Sequence, residues 1–334
     1  MPATSRTIAV FGAGSWGTAL AIQIARAGLD VVLWGRNAEH IRQMQQQNCN
    51  QRYLADIPFP PSLRLSSELE ISVKQADTLL LVIPSHAFRV FLQSIKSFVK
   101  AEQHIVWASK GLEEGSALFL HQIIAEELPQ CSLTAVVSGP TFAREVAQNL
   151  PTAVTVAASS KAAAREVASF LHHGHFRAYS SDDIIGVELG GALKNVLAIA
   201  AGITDGLGFG ANTRAALVTR GLAELMRLGE VLGAQKETFM GLAGLGDLLL
   251  TCTDNQSRNR QMGLRLAQGM SIEQAREEIG QAVEGVKTAR EAWHLSQKYQ
   301  VDMPIIEQVY RVIYEHKPPQ NAVKDLLARQ AKDE

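Results

Sequence analysis

Cysteine is scarce in this chain of 334 residues, and the three present, Cys49, Cys131 and Cys252, lie far apart. An odd number of widely spaced cysteines cannot form the framework of a disulfide-stabilised secreted domain. No two of them have the spacing of a zinc or thiol-redox motif. The shortage therefore predicts a reducing environment, and we expect a cytoplasmic protein.

An excess of charge is missing as well, because 32 lysines and arginines face 33 aspartates and glutamates, for a net charge of −1. A chain so balanced gives no electrostatic reason to bind nucleic acid or a membrane surface. The histidines His172, His173 and His175 have no cluster of carboxylates beside them, which argues against a metal centre. We expect no nucleic acid, no membrane partner and no bound metal.

Charged side chains are also absent between Arg6 and Arg26, and a hydropathy scan would mark this stretch as a membrane span or signal peptide. Its glycines and the polar turn that contains Gln23 argue against a span, and no small-residue cleavage site follows a basic segment. We interpret the stretch as a buried parallel strand followed by its helix.

This stretch contains the most informative motif of the sequence. An apolar segment, residues 7–11, precedes Gly12-x-Gly14-x-x-Gly17 and an alanine-rich helix. Gly12 permits a tight turn, Gly14 lets the backbone approach a pyrophosphate, and Gly17 lets the helix pack closely on the strand. A second strand at 31–34 completes a βαβ unit, which favours a dinucleotide site at the helix N-terminus. A glycine-rich turn in another kind of α/β protein is the alternative.

The end of the second strand bears on the choice of cofactor. Sites selective for NAD place a carboxylate there to bind the ribose 2′-hydroxyl. Here the strand is followed by Arg36, and the first carboxylate is Glu39. A guanidinium pairs well with a 2′-phosphate, so the sequence favours NADP(H), with NAD(H) and a solvated Arg36 as the alternative.

The pattern of the chain changes after Asp182, where strand-like runs give way to helical periods. We predict an α/β N-terminal Rossmann-type doubly wound sheet over residues 1–188 and an all-α C-terminal domain over 189–334. Further strands are predicted at 78–83, 105–108, 135–137, 152–157 and 175–179, helices at 38–47, 86–99 and 117–128, and an irregular segment at 56–61.

Three features of the second half suggest chemistry. Residues 186–202 predict one long helix, on which Lys194 and Asn195 share a face with small residues. Burial among small residues favours the neutral form of a lysine, although a surface lysine is the plainer interpretation. Asp247 follows a cluster of glycines and either holds an ammonium group or caps the next helix. The run Ser257-Arg258-Asn259 enters another helix and is suited to an anionic substrate, unless it only caps that helix.

In combination these motifs closely resemble those of the bacterial NAD(P)-dependent sn-glycerol-3-phosphate dehydrogenases. The resemblance extends over nearly the whole chain and follows the order of the family. Its motifs are Gly12-Ala-Gly-Ser-Trp-Gly-Thr-Ala, Ser109-Lys110-Gly111, Ser138-Gly139-Pro140-Thr141-Phe142-Ala143, Gly191-Ala-Leu-Lys194-Asn195, Gly244-Leu-Gly246-Asp247, Ser257-Arg258-Asn259 and Val283-Glu284-Gly285. It implies reversible reduction of dihydroxyacetone phosphate to sn-glycerol 3-phosphate for phospholipid synthesis, by a homodimer.

The resemblance also implies a role for individual residues. Lys194 resembles the general acid/base, and Lys110 and Asp247 its electrostatic partners. The expected cofactor contacts are Gly12, Gly14, Ser15, Trp16, Gly17, Arg36, Lys110, Ala143, Arg258 and Glu284. The expected substrate contacts are Lys110, Gly139, Thr141, Lys194, Asp247, Ser257, Arg258 and Asn259.

Two other functions remain open from the sequence. One is a related two-domain dehydrogenase acting on a β-hydroxy acid, although the adjacent Lys194 and Asn195 fit such enzymes less well. The other is a cofactor-sensing regulator that binds the nucleotide without turnover. The charge state of Lys194 at rest is also open, because burial and a neighbouring Asp247 act on its pKa in opposite directions.

Overall fold

The computed structural model describes residues 6–330, which divide into two compact units. The first contains the chain up to Ser109 together with Leu120–Val187. The second contains Lys110–Phe119 together with the chain from Glu188 onward.

The segment Lys110–Phe119 differs from the single boundary expected after residue 188, since it groups with the second unit. Ion pairs show which residues of that unit the segment contacts. Lys110 contacts Asp247, and Glu114 pairs with Lys287 at 2.8 Å and Arg290 at 2.6 Å. These long-range contacts are set by tertiary packing, so the local pattern of the sequence does not reveal them.

An eight-stranded sheet forms the centre of the first unit, in the order β10-β9-β8-β7-β6-β1-β2-β5. Its strands are β1 (Thr7–Phe11), β2 (Asp30–Trp34), β5 (Leu63–Ser66), β6 (Thr78–Leu81), β7 (His104–Trp107), β8 (Thr134–Ser138), β9 (Thr152–Ala158) and β10 (Phe176–Ser181). A separate antiparallel hairpin consists of β3 (Cys49–Asn50) and β4 (Leu54–Pro58). Neighbouring strands are parallel except for β8 and β9, which are antiparallel. The expected Rossmann-type sheet is confirmed, except that β9 and β10 run antiparallel to the other six strands.

Seven α-helices accompany this sheet among the described residues of the first unit. They are α1 (Ser15–Arg26), α2 (Ala38–Gln47), α3 (Leu69–Lys74), α4 (Phe88–Ile95), α5 (Leu120–Glu127), α6 (Ala143–Ala147) and α7 (Lys161–Leu171). The apolar stretch that follows Arg6 is buried as β1 and α1, as expected. Helices α4 and α5 are shorter than predicted, and a 3₁₀ turn, Ser85–Ala87, precedes α4.

Two segments of the first unit differ from their prediction. The segment expected to be irregular at 56–61 is partly strand, because β4 pairs with β3 and its proline lies at the end of the strand. The sequence pattern does not predict strand β5. It is a short edge strand in which Arg64 separates two leucines, a pattern too brief to identify.

The sheet explains where the glycine-rich loop lies. β1 has β2 on one side and β6 on the other, and the three strands are parallel. The chain leaves β1 towards β2 and later returns to β6, so the strand order reverses at β1. Open α/β sheets bind ligands at the carboxyl edge of such a switch point, and the loop after β1 lies there.

The regular elements in the described part of the second unit are all helices. They are α8 (Ile184–Gly206), which begins in the first unit, α9 (Ala211–Leu232), α10 (Lys236–Met240), α11 (Asp247–Thr253), α12 (Arg258–Ala267), α13 (Ile272–Ile279), α14 (Glu284–Lys298), α15 (Pro304–Tyr314) and α16 (Pro319–Leu327). A π-helical turn, Leu242–Gly246, leads directly into α11. Among residues 6–330, α8 alone has the length and hydropathy of a membrane-spanning helix, and 89% of its most apolar window is buried within the protein. It is the core helix of this unit.

Candidate active site

The glycine-rich loop of the first unit has the close packing that its glycines predict. Gly12 has φ of +122°, and a Cβ atom there would lie 2.2 Å from the Val82 carbonyl oxygen. A Cβ atom on Gly17 would lie 1.9 Å from the carbonyl oxygen of Gly12. A Cβ atom on Gly14 would meet nothing within 4 Å. The loop is thus packed tightly behind its first and third glycines and open at the second, which fits a pyrophosphate lying against the backbone.

The remaining first-unit residues of the predicted site lie in the loops that follow strands or in the first turns of the helices after those loops. Ser15 and Trp16 form the first turn of α1, Arg36 follows β2 and is exposed, and Ala143 begins α6. Gly139 follows β8, where a Cβ atom would lie 2.9 Å from the Cα of Val154. Thr141 donates a hydrogen bond to the Gly139 carbonyl at 3.1 Å.

Two lysines share one buried aspartate in the second unit. Lys110 Nζ lies 2.7 Å from Asp247 Oδ2, and Lys194 Nζ donates to Asp247 Oδ1. The side chain of Asp247 is fully buried, while those of Lys194 and Lys110 are 8% and 16% exposed. The structure therefore brings together the three residues predicted to do the chemistry. Asp247 holds two ammonium groups as well as beginning α11.

A close backbone contact explains why Lys194 meets Asp247. A Cβ atom on Gly190 would lie 2.4 Å from the carbonyl oxygen of Ala243, so α8 and the π-helical turn touch at this point. Lys194 and Asp247 each follow that contact by four residues, about one helical turn. The glycine of α8 thereby sets the register in which the lysine reaches the carboxylate.

Burial has the largest effect on Lys194 and lowers its pKa to about 7. The negative charge of Asp247 raises the pKa, and the positive charge of Lys110 lowers it. Two lysines compete for one carboxylate in a dry environment, so a proton is released from Lys194 far more readily than from a solvated lysine. An amine with a pKa near neutrality is suited to both donating and accepting a proton.

A chain of amides lies beside the lysine on α8. Asn259 Nδ2 donates to Asn195 Oδ1 at 2.8 Å, and Asn259 Oδ1 accepts from the Gly285 backbone N–H at 2.9 Å. Because the backbone N–H of Gly285 can only donate, the orientation of the Asn259 amide is fixed, and so is that of Asn195. These bonds join α8, α12 and α14 next to Lys194.

The other predicted substrate contacts lie where α12 begins. Ser257 is the N-cap of α12 and accepts from the Arg260 backbone N–H at 3.2 Å. Arg258 is exposed at its surface and donates to Gln281 Oε1 at 3.4 Å. Desolvation by the surrounding protein lowers the pKa of Arg258, and the charge of Glu284, the first residue of α14, opposes that shift. Among residues 6–330, no group of three or more histidines, cysteines or carboxylates is placed to hold a metal ion.

Sequence reasoning missed two polar contacts near these groups. Thr251, one turn after Asp247, donates from its hydroxyl to the Asp247 main-chain carbonyl at 2.6 Å. Asn50, in the β3–β4 hairpin, donates to the carbonyl of Ala13 in the glycine-rich loop at 3.0 Å. The four-residue spacing from Asp247 to Thr251 could have predicted the first contact from the sequence. Asn50 lies 37 residues from Ala13, so no local pattern predicts the second contact.

Comparison with known protein families gives two matches that together cover most of the chain. Residues 7–164 match the N-terminus model of NAD-dependent glycerol-3-phosphate dehydrogenase, and residues 183–324 match the C-terminus model.

Individual relatives agree with these matches. A glycerol-3-phosphate dehydrogenase [NAD(P)+] of Thioalkalivibrio sulfidiphilus is 55% identical over 98% of both chains. A protein of the same name from Photobacterium profundum is 52% identical over 98% of this chain and 97% of its own. The crystal structure of glycerol-3-phosphate dehydrogenase from Coxiella burnetii is similar, with a TM-score of 0.93 and 48% identity over 97% of this chain and 99% of that one.

Proposed function

The chain belongs to the NAD-dependent glycerol-3-phosphate dehydrogenase family, and we propose that Lys110, Lys194 and Asp247 form its catalytic centre. It is an oxidoreductase that interconverts dihydroxyacetone phosphate and sn-glycerol 3-phosphate with NAD(P)(H). The product supplies glycerophospholipid synthesis. Membership in this family sets aside the β-hydroxy acid dehydrogenase and the non-catalytic regulator. The observation that supports the catalytic proposal is the buried contact of two lysines with one aspartate.

In this proposal Lys194 is the proton donor for reduction. When bound, the reduced nicotinamide supplies the hydride for the ketone carbon. Lys194 Nζ then donates a proton to the oxygen on which negative charge develops, and the ammonium group of Lys110 stabilises that charge. Asp247 holds both lysines in place by accepting from each of them. Oxidation of the alcohol follows the same path in reverse, with a neutral Lys194 accepting the proton.

We also assign the remaining contacts as proposals. The first unit binds the dinucleotide through Gly12, Gly14, Ser15, Trp16, Gly17, Arg36 and Ala143, and Lys110, Arg258 and Glu284 add further cofactor contacts. By the family resemblance, the substrate contacts of the first unit are Gly139 and Thr141, and those of the second unit are Lys110, Lys194, Asp247, Ser257, Arg258 and Asn259. The open space at Gly14 and the position of Arg258 at the beginning of α12 support these assignments.

The experiment that tests the reaction is NADPH oxidation, followed by absorbance, with purified protein and dihydroxyacetone phosphate. Dihydroxyacetone without phosphate is the control, since it has the same ketone and lacks the anion. Rapid oxidation with the phosphorylated ketone alone supports the assignment. NADPH binding without turnover on either ketone would contradict it.

The preference for NADP(H) is a separate proposal, based on the exposed Arg36 after β2. Replacing this arginine by aspartate removes the partner of the 2′-phosphate and adds a repulsive charge. We expect Arg36→Asp to lower the ratio of kcat/KM for NADPH to kcat/KM for NADH by about 10- to 100-fold, the range of one charge-assisted hydrogen bond. Arg42→Asp is the matched control, because Arg42 is an exposed arginine of α2 that pairs with Glu39. An unchanged ratio in Arg36→Asp would refute the assignment.

The assembly and compartment are further proposals, a homodimer in the cytoplasm. The family resemblance suggests the dimer, and three cysteines that are all free thiols support a reducing compartment. Light scattering of the purified protein tests the assembly, with a mass twice the 36.3 kDa of one chain as the expected result.

A further inference from the structure

We propose that Asn50 is a positioning residue that holds the glycine-rich loop in the conformation that binds the pyrophosphate of the cofactor. The inference rests on the proposed function, because it takes this loop to be part of the cofactor site. It adds a residue that belongs to neither the loop nor the helix after it.

The β3–β4 hairpin delivers Asn50 to the loop. Helix α2 ends at Gln47, its C-cap Asn48 has the left-handed φ of 51°, and the chain then turns into β3. Asn50 pairs with Leu54 across the hairpin and its side chain is fully buried. A polar amide with no exposure to water needs partners within the protein.

The NH₂ group of this amide has both of its partners in the cofactor loop and the helix after it, whereas Oδ1 has no hydrogen-bond partner among the described residues. Asn50 Nδ2 donates to the Ala13 carbonyl oxygen at 3.0 Å and to the Thr18 hydroxyl at 2.8 Å. The carbonyl of Ala13 can only accept, so the NH₂ group of the Asn50 amide must face the loop. The single amide thus joins the residue between the first two glycines to the first turns of α1.

The bond to Ala13 fixes the direction of the next backbone N–H. All described peptide bonds are trans, and in a trans peptide the carbonyl and the following N–H point in opposite directions. Because the Ala13 carbonyl points inward to Asn50, the N–H of Gly14 points outward. The space at Gly14 is open, and Gly14 is the N-cap of α1, where backbone N–H groups have no partner within the helix. Asn50 therefore aims a donor at the place where the pyrophosphate is proposed to lie.

Asn50 could instead have a purely structural role, and the variant Thr18→Val distinguishes that role from the positioning role. This substitution removes a hydrogen bond of the same buried amide and keeps the bond to Ala13. If Asn50 only satisfies buried polar atoms, Asn50→Ala and Thr18→Val both lower the melting temperature, and neither raises the dissociation constant of the cofactor. If Asn50 orients the loop, Asn50→Ala alone weakens binding.

The test is fluorescence titration of the substrate-free protein with NADPH and with NADH. We expect Asn50→Ala to raise both dissociation constants by about tenfold and leave their ratio unchanged, because both cofactors contain the pyrophosphate. Thr18→Val should bind both like the wild type. Asn50→Asp, nearly equal in volume and without the N–H donors, replaces Asn50→Ala if the latter does not fold.

Unchanged dissociation constants in Asn50→Ala, or an equal loss in Thr18→Val, would overturn the role of Asn50. A wild-type protein that binds neither cofactor would instead refute the proposed function, and the inference with it.

Discussion

Replacing Lys194 by alanine should lower kcat for reduction of dihydroxyacetone phosphate by about 10²–10⁴, the usual contribution of a positioned general acid. The reason is geometric, since Lys194 is the more deeply buried of the two lysines on Asp247 and has the lowered pKa. Binding of NADPH should be unchanged, because Lys194 is not among the proposed cofactor contacts. Steady-state kinetics and a separate cofactor titration measure the two effects.

Lys287→Ala is the matched control for that loss. Lys287 is also a lysine of the second unit that pairs with a carboxylate, Glu114, but its side chain is 36% exposed. A surface pair of this kind contributes little, so turnover in Lys287→Ala should stay near that of the wild type. Near-normal turnover in Lys194→Ala would contradict the catalytic role of Lys194.

The two directions of the reaction should respond to pH with opposite signs. Burial lowers the pKa of Lys194 to about 7, so the amine loses its proton as pH rises through that value. Reduction requires protonated Lys194, and its kcat should fall as pH rises through the pKa. Oxidation requires the neutral amine, and its kcat should rise over the same range. Pre-steady-state rates in both directions test this, and parallel pH profiles would rule out a single acid/base group.

The glycine-rich loop and the lysine of α8 could be predicted because each has a local signal. The loop has three glycines at fixed spacing between a strand and a helix, and Lys194 lies on a helix face with small residues. The pairing of these groups had no such signal. The sequence alone allows Asp247 either to cap a helix or to hold an ammonium group, and the contact that decides between the two joins Gly190 to Ala243, which are distant in sequence.

The same physical reason applies to the hairpin and to the segment Lys110–Phe119. β3 and β4 are short, and their pattern includes proline, so only their pairing with each other identifies them as strands. Asn50 meets Ala13, and Lys110 meets Asp247, through contacts between distant parts of the chain. Local propensity describes elements well, whereas tertiary packing determines which side chains meet.

The beginning of α12 depends on another such contact, a buried ion pair with α8. Arg260 donates to Asp205 Oδ2 from Nε at 3.1 Å and from Nη2 at 2.6 Å. The helices also touch through glycine, since a Cβ atom on Gly202 would lie 2.0 Å from the Arg260 carbonyl oxygen. Arg260 directly follows Ser257, Arg258 and Asn259 in the chain, so this junction holds the turn that presents the proposed substrate contacts.

Arg260→Ala should therefore lower the free energy of unfolding by about 1.5–3 kcal/mol, the usual contribution of a hydrogen bond to a charged group, since Arg214 still pairs with the carboxylate. The side chains of Arg260 and Asp205 are 8% and 7% exposed, so the carboxylate that remains is poorly solvated. Arg214→Ala is the matched control, because Arg214 pairs with the same carboxylate at 2.9 Å but is 31% exposed. Its loss should lower the free energy of unfolding by no more than about 1 kcal/mol. Urea unfolding of both variants measures the difference, and equal losses would show that burial does not determine the strength of this junction.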